Sequence, residues 1–316
     1  MEQMLQVGTL TLQKVIMIVL MLCAGLVLRK SKKLPENAGK VLSGLCALLF
    51  CPAYNIRNLS QNVTMDTIGD KLGLVGLGAI LIVVVIFVAT LLSRILAKDD
   101  FNRRCLTYAF SISNYGYFGY PVIAGVFGDE ALANMIVFAI PTTIATYTWG
   151  YLLFNKDGKL TIKKIITTPM VIAVATGTFM GLTGLTAKLP SFATDALNSV
   201  ANCMSPVSMI LAGYVLGGIP MKKLFIGGKA YFYSIIRLVL LPLLFGVPLY
   251  FLGLREELLM MPLLMLALPL GLNLVVYPES FGYDATDNAR MCFVSYILCL
   301  VILPITFAVI NFLAFS

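Results

Sequence analysis

The chain has 316 residues, of which 59% are hydrophobic and 12% are charged, and its formal net charge is +8. So apolar a composition excludes an ordinary soluble domain and indicates a polytopic membrane protein. The absence of histidine excludes a histidine-based proton relay. The basic residues lie mainly in loops, which points to membrane topology and not to a nucleic-acid partner.

Charged residues mark the ends of ten apolar runs, each close to the length of about 20 residues that one bilayer crossing needs. Three runs are less regular, because the first contains Lys14, the second is short and the eighth contains Arg237. In chain order the predicted spans are Thr9–Leu28, Val41–Ile56, Leu72–Ser93, Cys105–Gly128, Ala131–Asn155, Ile165–Ala187, Ala196–Met221, Ala230–Leu254, Leu258–Pro278 and Met291–Ser316.

The loops predict the orientation of these spans. Those that follow the odd-numbered spans contain 17 of the 23 lysine and arginine residues. By the positive-inside rule these loops are cytoplasmic, so we expect both termini to lie outside. Arg29 and Lys30 follow the first apolar run and Glu2 precedes it, which is typical of a retained first helix and not of a signal peptide.

Two spans contain helix-breaking sequences near their middle. Asn114-Tyr-Gly-Tyr-Phe-Gly-Tyr-Pro121 lies in the fourth span and Pro269-Leu-Gly-Leu-Asn273 lies in the ninth. Proline removes a backbone donor and clashes with the preceding turn, so each break leaves polar backbone groups deep in the membrane. Such backbone is tolerated where it is buried in protein or lines a wet cavity, and in transporters it typically forms the substrate site.

The spans divide into two halves of five, which predicts an inverted repeat because five is odd. Phe127-Gly-Asp-Glu-Ala131 follows the fourth span, and Phe281-Gly-Tyr-Asp-Ala285 follows the ninth, 154 residues later. The predicted division is residues 1–155 for the first repeat, 156–167 for a cytoplasmic linker and 168–316 for the second repeat.

These motifs resemble the signature helices of the auxin efflux carrier family, which includes bacterial malate- and malonate-type permeases and plant PIN carriers. The resemblance extends over essentially the whole chain, and its supporting motifs lie in the second, seventh and eighth spans. The motifs are Asn114-x-Gly116-x-x-Gly119-x-Pro121, Leu268-Pro269-x-x-x-Asn273, Phe50-x-Pro52-Ala53, Ser205-Pro206-Val207-Ser208 and Arg237-Leu-Val-Leu-Leu-Pro242. The chain departs from the family pattern at Gly271, where relatives often carry alanine, and in adding Tyr277-Pro278-Glu279.

The resemblance implies an all-α protein of ten transmembrane helices, arranged as two inverted five-helix repeats. Broken helices 4 and 9 would cross near the bilayer centre, an architecture similar to that of sodium–proton antiporters and bile acid symporters. Spans one, two, six and seven would form a scaffold, and the other spans would form a mobile transport domain. The resemblance also implies elevator-like alternating access and a homodimer formed through the scaffold.

Helix physics independently favours an anionic cargo at the crossing. The amino-terminal end of each half-helix carries a partial positive charge and free amides, which bind carboxylates well. The asparagines add amide groups, although they equally suit helix caps, and the tyrosines equally suit packing or interface anchoring. The predicted substrate-binding residues are Asn114, Tyr115, Gly116, Gly119, Tyr120, Pro121, Pro269, Gly271 and Asn273.

Four further residues are candidates for coupling or for lining a cavity. Glu279 could bind a coupling proton, although a solvated interface residue is equally consistent with its place. Arg237 could attract an anion or snorkel to the surface. Asn55 and Tyr147 are weaker candidates for facing the cavity.

The sequence favours a secondary transporter for a small organic anion, a mono- or dicarboxylate, in a bacterial-type cytoplasmic membrane. No histidine, aspartate, glutamate or lysine lies in either crossing segment, which disfavours a simple cation exchanger. No nucleophile–base pair or metal spacing indicates an enzyme, a metal site or a cofactor. A sodium-coupled bile acid-type symporter and a transporter-like channel or sensor remain alternatives, and coupling to protons or sodium stays open.

Overall fold

The structure is a computed structural model that describes residues 2–35, 37–155, 167–218, 220 and 227–315. The predicted linker 156–167 lies outside the described residues except for Thr167. Within the described ranges the protein is helical, and no strand is present. The helices are α1 Glu2–Ser31, α2 Ala38–Leu45, α3 Cys51–Asn62, α4 Ile68–Leu96, α5 Asp100–Ser111, α6 Tyr120–Phe138, α7 Ile140–Ala145, α8 Pro169–Leu182, α9 Ser191–Asn202, α10 Met204–Leu216, α11 Gly228–Ile235, α12 Leu241–Phe251, α13 Glu256–Ala267, α14 Asn273–Ser280 and α15 Thr286–Phe315.

Seven helical stretches of the described chain are long and apolar enough to cross a membrane. The protein is therefore a multi-pass membrane protein. The other three predicted spans correspond to shorter helices. The fifth is divided between the end of α6 and α7 with its following turn, the sixth corresponds to the 14-residue α8, and the ninth is divided between α13 and α14. The count of ten crossings stays a prediction, since a helix interrupted near its middle is too short to qualify alone.

Three wide π-helical turns each end two residues before a proline. The turns Cys46–Phe50, Tyr115–Gly119 and Ile236–Leu240 precede Pro52, Pro121 and Pro242. Proline has no amide hydrogen and its ring clashes with the carbonyl four residues earlier, which here lies inside the π turn. The wider turn accommodates this mismatch, so the helix continues past the proline.

Glycine interrupts the helical path after each broken segment. Gly128 has φ 86° and ψ −179° within α6, where it divides the helix into two parts. Gly282 has φ 78° just after α14. Both conformations lie in the region that side-chain-bearing residues avoid. The paired motifs Phe127–Ala131 and Phe281–Ala285 therefore share a glycine with positive φ.

Helices α1 and α10 pack closely because glycine faces the partner backbone on each side. A Cβ atom at Gly25 would collide with the carbonyl of Ile210, and one at Gly213 would collide with the carbonyl of Leu22. Close approach through small residues is the usual means of helix association in membranes, where apolar burial provides little driving force. This contact ties the beginning of the chain to its second half.

Candidate functional site

The two interrupted segments meet at their breaks. Helix α5 ends at Ser111 and α13 ends at Ala267, and the extended residues that follow pair as a single antiparallel bridge between Ser113 and Leu270. The amide of Asn114 donates to the carbonyl of Pro269 over 2.8 Å. Each break therefore satisfies part of the polar backbone of the other, as the apolar environment requires.

Helix α15 packs against the second break and bonds to its backbone. The hydroxyl of Ser295 accepts a hydrogen bond from the amide of Leu270 at 3.2 Å and donates to the carbonyl of Cys292 at 2.7 Å. The thiol of Cys292 contacts the carbonyl of Gly271 at 3.6 Å. These contacts fix the extended segment against a helix that is itself long and continuous.

Arg237 donates hydrogen bonds to the carboxyl ends of α5 and α13, the helices that precede the two breaks. Its side chain is fully buried in the wide turn Ile236–Leu240, and it donates to three carbonyls. The distances are 2.8 Å to Phe110 in α5, 3.1 Å to Met265 in α13 and 3.3 Å to Leu268. Carbonyls at a helix carboxyl end carry partial negative charge and lack helical donors, so a buried guanidinium serves both needs.

A cavity of about 50 Å³, lined by tyrosine, asparagine and hydroxyl side chains among apolar ones, lies where the segments cross. Its lining comes from the two breaks and the adjoining helices, from α7 with its following turn, and from α3, α8 and α10. None of these lining residues carries a formal charge. The cavity is lined by Cys51, Asn55, Tyr108, Ile112, Ser113, Asn114, Tyr115, Gly116, Tyr117, Tyr120, Thr143, Thr146, Tyr147, Met170, Met204, Gly271, Leu272 and Asn273.

The two predicted asparagines both line this cavity but differ in their contacts. The side chain of Asn114 caps the π turn, since its oxygen accepts from the amide of Phe118 at 3.3 Å. Its nitrogen donates to the hydroxyl of Tyr296 at 2.8 Å. The capping role that the sequence left open therefore applies to Asn114. Asn273 is the first residue of α14 and lines the cavity next to Leu272 and Gly271.

Other predicted residues divide between the cavity wall and the packing around it. Tyr115, Tyr120, Gly116 and Gly271 line the cavity, and a Cβ atom at Gly116 would meet nothing within 4 Å. The hydroxyl of Tyr115 pairs with that of Thr143 at 3.0 Å, so the ring is held in place.

The three remaining predicted binding residues are not part of the cavity wall. Pro269 lies in the second break, where its carbonyl accepts from the amide of Asn114, whereas Pro121 lies in α6 beyond the π turn. A Cβ atom at Gly119 would collide with the side chain of Leu268, so this glycine permits the close approach of the two segments. A binding role for these three residues stays a prediction.

The four candidates for coupling or for lining a cavity lie in three different places. Asn55 and Tyr147 line the crossing cavity, and Asn55 donates to the carbonyl of Cys51 at 2.8 Å. Arg237 does not face the cavity, because its donors are directed at carbonyls. Glu279 lies instead in a second cavity of about 630 Å³, together with Arg29 and Lys40.

Sequence reasoning missed several cavity residues, including Tyr108, Thr143, Thr146, Met170 and Met204. Tyr108 lies six residues before Asn114 on the upstream half-helix, and Thr143 and Thr146 repeat at helical spacing in the fifth span. An amphipathic reading of these two helices would have found them. The methionines carry no such signal, since apolar residues surround them in sequence.

Comparison with known proteins identifies the family of this chain. A family model described as "Membrane transport protein" matches residues 10–163 and again residues 158–307. An uncharacterized transporter of Methanothermobacter thermautotrophicus is 28% identical over 69% of this chain and 72% of its own length. An uncharacterized transporter of Methanocaldococcus jannaschii is 25% identical over 60% of this chain and 63% of its own length. Since the two matches together cover nearly the whole chain, this protein belongs to the membrane transport protein family that contains the auxin efflux carriers.

Proposed function

We propose that this protein is a secondary active transporter that moves a small organic anion across the cytoplasmic membrane. The observation that carries the proposal is the bridge between Ser113 and Leu270, which brings two interrupted helices together at one polar cavity. In a multi-pass membrane protein of a transporter family, such exposed backbone has a direct use in holding cargo.

The electrostatics of the cavity favour an anion. The downstream half-helices begin at Tyr115 and Asn273, so both present amino-terminal amides to the crossing. Each helix end contributes a partial charge of about +0.5, so the two together balance about one negative charge. The carboxyl ends of α5 and α13 are bonded separately by Arg237, so the half-helix amino termini are the groups that favour an anion in a cavity without a charged side chain.

Ten crossings in two inverted repeats are part of the proposal. The family model matches each half of the chain, and Gly128 and Gly282 share positive φ in the paired motifs. Both findings support repeats at about 1–155 and 168–316. The basic loops support cytoplasmic placement of the odd connections and outside termini.

The cavity walls support elevator-like alternating access. Part of the lining belongs to the crossing, and another part, Asn55, Met170 and Met204, belongs to helices of the implied scaffold. A volume of about 50 Å³ holds only a few water molecules, so cargo requires the walls to separate. Sliding the crossing along the implied scaffold would open the site to either side. Dimerisation through the scaffold completes this arrangement and rests on the family resemblance.

Uptake by purified protein in proteoliposomes tests the proposal. We expect saturable uptake of a labelled mono- or dicarboxylate, and we expect Asn273→Ala to lower it at least tenfold while the gel-filtration profile stays unchanged. Asn273 is a sharper test than Asn114, whose side chain caps a helix. Asn62→Ala is the matched control, because Asn62 bonds locally to Asn58 and does not line the cavity.

The ion dependence of the same assay distinguishes the alternatives. Uptake that requires a sodium gradient would indicate a symporter of the bile acid type, and stimulation by a proton gradient would indicate proton coupling. Currents that do not saturate with substrate would indicate a channel. Uptake unchanged by Asn273→Ala would remove the crossing cavity as the cargo site.

A further inference from the structure

Two tyrosine hydroxyls beside the crossing are buried without a hydrogen-bond partner. They belong to Tyr108 on α5 and Tyr277 on α14. The rings meet edge to face with centroids 6.0 Å apart. Buried hydroxyls are normally satisfied, so two orphans on facing half-helices point to a missing partner.

The position of the pair connects it to the cavity. Tyr108 lines the cavity, and its buried hydroxyl has no hydrogen-bond partner. Tyr277 is not one of the lining residues, but it lies one helical turn after Asn273, which is, and its ring packs edge to face on the ring of Tyr108. The hydroxyl of Tyr108 therefore borders the cavity, and Tyr277 adjoins it through the contact between the two rings.

The chemistry of the surroundings limits what the pair can recognise. No lining residue of the described cavity is a cation, so a second carboxylate on the cargo would find no counter-charge there. A phenol hydroxyl both donates and accepts, so a neutral hydroxyl or carbonyl oxygen would satisfy the two phenols. The ring of Phe154 also packs on Tyr108, and the ring of Tyr151 packs on Tyr277, so both phenols are held among aromatic rings.

We propose that Tyr108 and Tyr277 form a second polar subsite that selects organic anions carrying a neutral hydroxyl or oxo group near the carboxylate. This inference rests on the proposed transport of organic anions. The half-helix amides and Asn273 hold the carboxylate, and the phenol pair holds the neutral oxygen. The preferred class is therefore a hydroxy- or oxo-monocarboxylate.

Competition with acids that differ by one oxygen tests this subsite. The inhibition of labelled-substrate binding is measured for lactate against propionate and for 3-hydroxybutyrate against butyrate. We expect the hydroxy acid to compete about 10-fold better with the wild type, since a buried site built for a hydroxyl penalises its absence. Tyr108→Phe and Tyr277→Phe should each lower this preference to about threefold, and the double variant should abolish it.

Thermal unfolding of the same variants separates recognition from packing. Removing an orphan hydroxyl should leave the Tm of the ligand-free protein equal or higher, because the buried group has no partner to lose. Tyr151→Phe is the matched control, since its ring packs on Tyr277 but its hydroxyl is not a buried orphan.

The outcomes distinguish this inference from the transport proposal. If no carboxylate competes with the wild type, the proposed function fails and the subsite fails with it. If carboxylates compete but the hydroxyl brings no advantage, the subsite alone is wrong. A preference that survives both substitutions, or that falls equally in Tyr151→Phe, would also overturn it, as would a lowered Tm with an unchanged preference.

Discussion

Replacing Arg237 with methionine tests whether the guanidinium holds the crossing together. Methionine has similar length but no donor, so the carbonyls of Phe110, Met265 and Leu268 lose their partner. Hydrogen bonds to a charged donor contribute about 1.5–3 kcal/mol each, so the gross loss is about 4.5–9 kcal/mol. Removing a buried charge recovers several kcal/mol of desolvation, and polar contacts in membranes average less than in water. We expect a net loss of about 2–4 kcal/mol.

The assay is the free energy of unfolding in mixed micelles, followed during titration with a denaturing detergent. Arg255→Met is the matched control, because Arg255 also donates to two carbonyls, Tyr250 and Leu254, but does so locally and on the surface. We expect this control to change the free energy by less than about 0.5 kcal/mol. Arg237→Lys should recover part of the loss, since lysine keeps the charge but not the planar fork. Equal unfolding free energies for the Arg237→Met and Arg255→Met variants would refute the reasoning.

Two further predictions concern helix packing and capping. Gly213→Val should lower the thermal stability of the detergent-solubilised protein, because its side chain would collide with the backbone of α1, whereas Gly76→Ala should be tolerated since no atom lies within 4 Å. Asp99 caps α5, and the amide of Asn102 at 2.8 Å lowers the pKa of its carboxyl. A lowered pKa means that the stabilisation is present above about pH 4 and is lost as the pH falls through the folded value. The difference in Tm between wild type and Asp99→Ala should therefore shrink in acid. The difference in Tm between Asp99→Asn and Asp99→Ala should not depend on pH, because neither variant has the carboxyl. A wild-type difference that stays constant in acid would contradict this prediction.

The breaks could be predicted from sequence because their cause is local. Proline at 269 removes a donor whatever surrounds it, and glycine at 128 and 282 tolerates a conformation that other residues avoid. Pro121 was expected to break its span, but the helix continues past it through the π turn, and the first break lies just before the motif, after Ser111. The membrane environment then requires that the freed groups be covered. Neither step depends on which helices are neighbours.

The partners of those groups could not be predicted, because they depend on long-range packing. Arg237 was expected to attract an anion or reach the surface, yet it bonds to carbonyls on two other helices. Asn114 was expected either to face cargo or to cap a helix end, and its side chain caps a helix turn while the residue also lines the cavity. Helix rotation likewise decides that Tyr108 faces the cavity, and rotation is set by contacts far away in sequence.

The reach of Arg237 has a consequence for biosynthesis. The carbonyl of Phe110 is bonded by a residue that the ribosome adds 127 positions later. At about 5–20 residues per second, this carbonyl waits about 6–25 s for its partner. During that interval the nascent first half needs another means of shielding its open backbone, such as water in the translocon or a chaperone, and premature release into lipid would trap it misfolded.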